Sequence, residues 1–306
     1  MKLGVLTACL PGATLPEVAA VAAGLGYQGL EVAAWPRTPG REWEASHLDV
    51  GALDDAGAAE VRELLDEHAL ELSAVAYYEN NLHTDPATRA QTHDHLRRCI
   101  DAAALLGCPN VGTFVGRDIA LSMVENVRLA EDVFPALVKY ADERGVRLVI
   151  ENCPMEGWHP DGYPANLAYS PELWDWMADL GLYLNFDPSH LVWLGIDPVA
   201  ALTASVDRVV HVQAKDVQVD AVRRNRYGTY GRVLGRTSPW GSPWWRYRMP
   251  GLGDVDWRRL VDVLYEAGYD GFVSVEHEDP IWSGTPEKVV AGLTVAERTL
   301  RPLLVS

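Results

Sequence analysis

Short apolar segments rich in β-branched residues alternate with longer segments of helical period along the whole chain of 306 residues. Such alternation predicts βα units, because parallel strands need a crossover connection that is usually a helix. The eight strand candidates are residues 3–7, 29–32, 72–77, 110–114, 147–151, 182–187, 209–215 and 271–276. The helix candidates are residues 15–25, 54–68, 86–106, 120–143, 171–180, 198–204, 257–267 and 286–303.

Proline and glycine mark the ends of these helix candidates. Helix starts, where a missing N–H is tolerated, contain or adjoin Pro16, Pro86, Pro171, Pro198 and Pro286. Helix ends, where a left-handed cap is favoured, are followed by Gly26, Gly107, Gly145, Gly181 and Gly268. Eight strand–helix units close most economically as a (β/α)8 barrel. An open doubly wound sheet often has a glycine-rich phosphate loop, and the sequence contains no GxGxxG or Walker-type run. We therefore predict an α/β fold, a single TIM-barrel domain over residues 1–306, with a long insertion after strand 7 at residues 217–254.

The charge balance argues against one large class of function. With 26 Lys+Arg against 43 Asp+Glu, the formal charge is -17, which disfavours a nucleic-acid partner. No apolar run reaches the roughly 20 residues that span a bilayer, so we expect no membrane partner. The start of the chain lacks the length and flanks of a signal peptide. We therefore expect a cytoplasmic protein whose four cysteines are reduced.

Polar side chains end four consecutive strand candidates, and the carboxyl ends of the strands build the active site of a TIM barrel. These side chains are Glu151, Asp187, Gln213 and Glu276. Three carboxylates crowded at the mouth of an apolar barrel repel one another unless a cation neutralises them. All-oxygen ligation suits a hard divalent ion, so the sequence predicts one Mn²⁺ or Mg²⁺ held by these four residues. A solvated or capping role explains any one of them, but explains four in register poorly.

Strand alternation places further polar residues beside this predicted site. His211, Gln213 and Lys215 share one face of strand 7, with His211 deepest, and Glu276 shares a face with Glu278. Lys215 would add positive charge near the substrate, and His211 is a fallback ligand in place of Gln213. His190 either caps the following helix or polarises a substrate carbonyl, a role that suits imidazole near neutral pH.

The insertion is rich in aromatic and arginine side chains. Its aromatic residues are Tyr227, Tyr230, Trp240, Trp244, Trp245 and Tyr247, and its arginines include Arg223, Arg224, Arg226, Arg246 and Arg248. This composition suits a lid that stacks on a sugar ring, and it equally suits an interface in a homo-oligomer, which we expect. From the insertion we take Arg223 and Trp245 as substrate-binding candidates. Weaker candidates in the other loops are Trp35, Tyr77, Tyr78, Asn80, Asn81, Trp158 and His159.

Four of these segments resemble the xylose-isomerase-like TIM-barrel sugar isomerases and epimerases, which include ketose 3-epimerases, inosose-processing enzymes and hydroxypyruvate isomerase. The segments are 150–152 (Ile-Glu-Asn), 187–190 (Asp-Pro-Ser-His), 211–216 (His-Val-Gln-Ala-Lys-Asp) and 274–276 (Ser-Val-Glu). In that family Glu, Asp, His and Glu hold the metal, and the two glutamates are the acid and the base. By position these are Glu151, Asp187, Gln213 and Glu276, with Gln in place of the commoner His, as in the hydroxypyruvate isomerases.

The resemblance implies a metal-dependent isomerase or epimerase of a small-molecule carbohydrate, with proton transfer through a stabilised enediolate. Glu151 and Glu276 would be the catalytic pair, and His190 would hydrogen-bond a substrate oxygen. The arginine of ketose 3-epimerases is replaced by Lys215 and Asp216, which disfavours a free ketose as substrate. A lyase or dehydratase acting by β-elimination on 3-keto-glycosides or inososes is the alternative. The charge of -17 argues against an apurinic-site endonuclease, which needs a basic surface that faces DNA. The presence of all four candidate ligands argues against an inactive partner subunit.

Overall fold

The computed structural model describes residues 1–37, 45–229 and 240–305, and its centre is a closed barrel of parallel strands. The barrel strands are β1 (Lys2–Leu6), β2 (Gly29–Ala33), β3 (Glu71–Ala76), β4 (Asn110–Thr113), β5 (Arg147–Glu151), β6 (Tyr183–Phe186), β7 (Val209–Ala214) and β11 (Phe272–Val275). The insertion after β7 contributes β8 (Asp216–Val219), β9 (Gly241–Ser242) and β10 (Trp245–Arg248). Each barrel strand pairs with its neighbours in chain order, and β11 closes the barrel on β1. The predicted TIM barrel is confirmed.

Helices connect the strands on the outside of the barrel. The predicted ones are α1 (Leu15–Gly24), α2 (Asp55–Glu67), α3 (Pro86–Leu106), α4 (Met123–Asp142), α5 (Pro171–Asp179), α7 (Pro198–Ser205), α9 (Trp257–Glu266) and α10 (Pro286–Leu300). Helix α4 begins three residues later than predicted, because Ser122 and Glu125 form a capping box at its start. In the described ranges, no helix is long and apolar enough to cross a membrane.

Two short helices, α6 (Pro188–Leu194) and α8 (Ala221–Tyr227), were not predicted. Asp187 caps α6 by accepting a hydrogen bond from the backbone N–H of Ser189 at 2.8 Å, and Pro188 occupies the first helical position. Asp-Pro is a recognised helix-start signal, so the sequence contained the information. As a result His190 lies inside α6, rather than capping the next helix.

The insertion folds into an antiparallel sheet of β8, β10 and β9, which we call the insertion sheet. Its aromatic side chains form a second small core, in which Trp245 stacks on Trp193 of α6 with ring centroids 4.8 Å apart. Trp244, Trp245 and Tyr247 are all buried in this core. These three side chains therefore pack within the chain, which accounts for them without a mobile lid or a subunit interface. Tyr230 lies outside the described residues.

Asp216 attaches the insertion sheet to the barrel. Its buried carboxylate accepts hydrogen bonds from the backbone N–H groups of residues 217, 251 and 255 at 2.8, 2.9 and 3.0 Å. It also accepts one from the indole of Trp257, the first residue of α9, at 3.2 Å. One carboxylate thus joins the start of β8, the end of the insertion and the next helix.

We expect Asp216→Asn to lower the free energy of unfolding by about 2–4 kcal/mol, because the new NH₂ group faces two N–H donors in a buried position. Urea denaturation measures this. Asp254→Asn is the control, since Asp254 accepts one exposed bond, from the N–H of Val219, which a rotated amide restores. Equal effects of the two changes would contradict the assigned role of Asp216.

Candidate active site

Three buried carboxylates from three strands meet at the carboxyl end of the barrel. Glu151 ends β5, Asp187 follows β6 and Glu276 follows β11. One oxygen from each lies within 4.8 Å of the others. The structure thus brings together the three acidic residues that the sequence selected as metal ligands.

Lys215 provides the positive charge beside these carboxylates. Its ammonium lies 2.7 Å from Glu276 Oε2, 3.0 Å from Glu278 Oε2 and 3.2 Å from Asp187 Oδ2. Burial opposes a charged lysine, but these three carboxylates raise the pKa of Lys215 well above its ordinary value. Lys215 is therefore charged, and it is a counter-ion within the cluster as well as a candidate substrate contact.

The carboxyls around Lys215 differ in their tendency to ionise. Burial is the largest influence on both Glu276 and Glu278, and it raises the pKa of each above its ordinary value. Burial acts in the same direction on Asp187, but Lys215 and His190 outweigh it and lower the pKa of Asp187. Asp187 is thus the most readily ionised of the three carboxyls.

His190 bridges the cluster and the insertion sheet. Its Nε2 lies 3.1 Å from Glu151 Oε1 and 3.3 Å from Asp187 Oδ2. Carboxylates only accept hydrogen bonds, so Nε2 carries a proton. Its Nδ1 lies 2.8 Å from the hydroxyl of Tyr247 on β10, whose ring also faces the Lys215 ammonium at 4.6 Å. The insertion therefore supplies a residue to the site, and that residue is Tyr247.

A second polar group lies beside Gln213 inside the barrel. Gln213 Nε2 donates to Glu31 Oε1 at 3.0 Å and to the hydroxyl of Tyr78 at 3.2 Å. Tyr78 also donates a hydrogen bond to Glu31, and burial raises the pKa of Glu31 to about 8. Sequence reasoning missed Glu31, although a lone charged residue within an apolar strand was a usable signal.

His211 belongs to a layer beneath the carboxylates. Its Nδ1 lies 2.9 Å from Asn185 Oδ1, and its Nε2 lies 3.1 Å from the hydroxyl of Ser274 and 3.2 Å from that of Ser73. Burial lowers its pKa to about 3, so His211 is neutral. With both nitrogens engaged, it fits a role in the barrel core better than that of a fallback ligand.

The substrate-contact candidates after β2 and β3 occupy different environments. The ring of Tyr77 packs on His95 of α3 at 4.5 Å, outside the barrel, whereas Tyr78 points inward. Both tyrosines follow the end of β3 at Ala76, so strand alternation does not assign their directions. Asn81 donates to Thr113 and to the carbonyl of Phe114, and it ties this loop to β4. Trp35 lies 6.2 Å from the ring of Tyr78.

The remaining candidates lie further out. Trp158 contacts Phe114 edge-on at 5.5 Å, and His159 contacts Tyr163 at 5.3 Å. Trp245 lies behind Tyr247 in the aromatic core, so it supports the site rather than lining it. The largely exposed side chain of Arg223 binds Asp220 and the carbonyl of Pro243, and no described contact joins it to the carboxylates.

The donor set fits a hard divalent ion. Glu151, Asp187 and Glu276 bring carboxylate oxygens together. Gln213 Oε1 is a candidate fourth donor, because it is buried and no donor among the described residues binds it. A buried amide oxygen without a donor is uncommon, and a cation satisfies it. Oxygen ligands are those that Mg²⁺ and Mn²⁺ prefer.

Comparison with known proteins identifies relatives across nearly the whole chain. A sequence profile described as xylose isomerase-like TIM barrel matches residues 19–298. The protein YfiH of Bacillus subtilis (strain 168) is 29% identical over 91% of this chain and 93% of its own. An inosose dehydratase of Clostridium beijerinckii is 28% identical over 51% of this chain and 49% of its own, so the match spans about half of each.

Solved structures share the fold at low sequence identity. A xylose isomerase domain protein from Planctomyces limnophilus has a TM-score of 0.71 at 20% identity, covering 99% of this chain and 96% of that one. A D-psicose 3-epimerase, crystallised in the presence of D-fructose, has a TM-score of 0.70 at 15% identity, covering 99% of each chain. The barrel and its connections are therefore common to these proteins.

We expect Lys215→Met to destabilise the metal-free protein by about 3–5 kcal/mol at pH 8, because it leaves buried carboxylates without their counter-ion. Carboxyls whose pKa is raised by folding bind protons more tightly in the folded state, so stability falls as pH rises above about 4.5. The loss should therefore be much smaller at pH 5. Urea denaturation in the presence of a chelator, at both pH values, measures it.

The matched control is Lys2→Met, which removes the exposed ion pair of Lys2 with Glu71. Its effect should stay below about 1 kcal/mol at both pH values. A Lys215→Met variant equally destabilised at pH 5 and pH 8 would show that packing, rather than charge, explains the effect.

Proposed function

The chain belongs to the xylose isomerase-like TIM-barrel family, and we propose that it is a divalent-metal-dependent isomerase or epimerase of a sugar or keto-sugar derivative. The observation that carries this proposal is the meeting of three buried carboxylates from three strands within 4.8 Å. Such a concentration of buried negative charge is unfavourable for folding alone, and perturbed carboxyls of this kind cluster at functional sites.

Glu151, Asp187, Gln213 and Glu276 would hold the metal ion, with Mn²⁺ or Mg²⁺ the ions best suited to their oxygens. When bound, the ion supplies positive charge that stabilises the oxygen of an α-hydroxycarbonyl as that oxygen becomes negative. This stabilisation would make the proton on the carbon beside the carbonyl acidic enough for a carboxylate to remove it.

Glu151 and Glu276 are the proposed acid and base, and each has its own partner. His190 Nε2 lies 3.1 Å from Glu151 Oε1, and Lys215 Nζ lies 2.7 Å from Glu276 Oε2. One of the two would remove the carbon-bound proton as a carboxylate, and the other would deliver a different proton as a carboxylic acid. Delivery to the same carbon from the opposite face gives an epimer, and delivery to the adjacent carbon gives an isomer.

The walls around the carboxylates suit a carbohydrate. An aromatic series runs from Trp158 through Phe114 and Tyr78 to Trp35, with successive ring centroids 5.5, 5.2 and 6.2 Å apart. Aromatic faces pack on the C–H faces of sugars, while buried polar groups orient their hydroxyls. No acceptor in the described part of the chain binds the buried indole N–H of Trp35, which is therefore available to a hydroxyl.

A lyase or dehydratase is the second candidate. The similarity to the Clostridium inosose dehydratase, which covers about half of each protein, favours it. The chemistry begins in the same way, because an enolate formed beside a keto group can expel a β-substituent instead of being reprotonated. The same carboxyls would then remove the carbon-bound proton and assist the departure of the β-substituent.

Deuterium incorporation tests the proposal. The metal-loaded protein is incubated in deuterated water with ketoses, inososes and 3-keto-glycosides, and products are followed by mass. We expect deuterium at carbon without cleavage for one substrate class, and a fall of at least about 100-fold in Glu151→Gln because that variant cannot exchange the proton. Activity should be lost on chelation and restored by Mn²⁺ or Mg²⁺.

The control is Glu172→Gln, an exposed residue in the first turn of α5, which should exchange at the wild-type rate. Cleavage or loss of water would instead favour the lyase or dehydratase. Absence of both reactions with every substrate, despite bound metal, would refute the enzymatic proposal.

A further inference from the structure

We infer that Glu31, together with Tyr78, is a positioning residue that orients the amide of Gln213 so that its oxygen, not its nitrogen, is available to a cation. This inference rests on the proposed function, because it assigns Gln213 to the metal site. In this role Glu31 and Tyr78 act on the amide of Gln213 and would not touch the ion.

The amide nitrogen of Gln213 is fully engaged on one side of the barrel. Nε2 donates to Glu31 Oε1 at 3.0 Å and to the hydroxyl of Tyr78 at 3.2 Å. An amide nitrogen has two hydrogens, so these two bonds use both. Glu31 lies on β2 and Gln213 on β7, so the glutamine side chain reaches across the barrel interior.

A rotation of the amide by half a turn would be unfavourable. It would place Gln213 Oε1 against Glu31 Oε1, which already accepts the hydroxyl hydrogen of Tyr78. Two acceptors would then face each other in a fully buried position. The orientation with nitrogen toward Glu31 is thus the one in which both amide hydrogens have acceptors.

The consequence appears at the other end of the amide. Gln213 Oε1 is buried, and no donor among the described residues reaches it. Amide oxygen is a ligand for hard divalent ions, whereas the NH₂ group is not. Gln213 is the last residue but one of β7, and Lys215, whose ammonium contacts Asp187 and Glu276, directly follows the end of that strand. The free oxygen is thus the atom of Gln213 that the proposed metal site would use.

Tyr78 is itself held in place, so the arrangement is rigid. Asn185 Nδ2 donates to its hydroxyl at 2.7 Å, and its ring packs against Phe114 at 5.2 Å. Gly112 leaves room for the ring, because a Cβ atom there would collide with the tyrosine hydroxyl. Outer partners of this kind fix ligand orientation, and their loss commonly weakens metal binding.

Isothermal titration of the metal-free protein with Mn²⁺ tests the inference without a substrate. In Glu31→Leu, which removes the acceptor, we expect the dissociation constant to rise about 10–100-fold. In Glu31→Gln, whose amide oxygen can accept the same two bonds, we expect a change of less than about 3-fold. This pair separates the role of the acceptor from that of the charge.

A double-mutant cycle with Gln213→Ala separates positioning from general damage. If Glu31 acts through Gln213, Glu31→Leu should not weaken Mn²⁺ binding further once Gln213 is absent. An equal loss in both backgrounds would overturn the inference. If Glu31→Leu does not fold, Tyr78→Phe, which removes a partner of both Glu31 and Gln213, replaces it in the cycle.

The outcomes distinguish this inference from the proposed function. Absence of Mn²⁺ and Mg²⁺ binding by the wild-type protein would overturn the metal-dependent function and the inference together. Tight binding by both the wild-type protein and Glu31→Leu would overturn the inference alone. Both would be supported by three results together. Glu31→Leu weakens Mn²⁺ binding, Glu31→Gln binds Mn²⁺ nearly as well as the wild-type protein, and Glu31→Leu causes no further weakening in the Gln213→Ala background.

Discussion

The ammonium group of Lys215 makes a buried cluster of carboxylates compatible with a folded barrel. It lies within 3.2 Å of Asp187, Glu276 and Glu278, which come from two different strand ends. Burying such charges is expensive, and a hydrophobic core would fill the same space at lower free energy. The cluster is therefore better explained by chemistry than by stability. Since Lys215 is a counter-ion that the chain itself supplies, the cluster can form before any metal binds.

The barrel interior supports this cluster through successive polar layers. The deepest layer is His211 with Asn185, Ser73 and Ser274, and every ring nitrogen of His211 has a partner there. Asn185 also donates to Tyr78, which donates to Glu31. Each layer thus orients the next one toward the mouth. Because all of these residues except Tyr78 stand on strands, their positions are more rigid than those of a site built from loops alone.

Sequence periodicity was sufficient for the barrel but not for every side of the site. Alternation within a strand placed Glu151, Asp187 and Glu276 together, because parallel strands bring their carboxyl ends to one rim. It gave no way to choose between Tyr77 and Tyr78, which both follow the end of β3 at Ala76. It also could not show that Tyr247 reaches His190. The insertion sheet pairs β8 with β10, two strands far apart in the sequence, and no local sequence pattern indicates that pairing. Contacts across the barrel, such as that of Glu31 with Gln213, are equally invisible to a one-dimensional pattern.

The choice between His211 and Gln213 illustrates what periodicity leaves undecided. The two residues are separated by two positions on β7, so alternation assigns them the same face and cannot rank them as ligands. Hydrogen-bond accounting does rank them. Both nitrogens of His211 have partners in the deepest layer, whereas Gln213 has an oxygen to which no donor in the described ranges binds. A metal ligand needs an acceptor atom that is not already used in a hydrogen bond within the protein. By that criterion Gln213 is the stronger candidate.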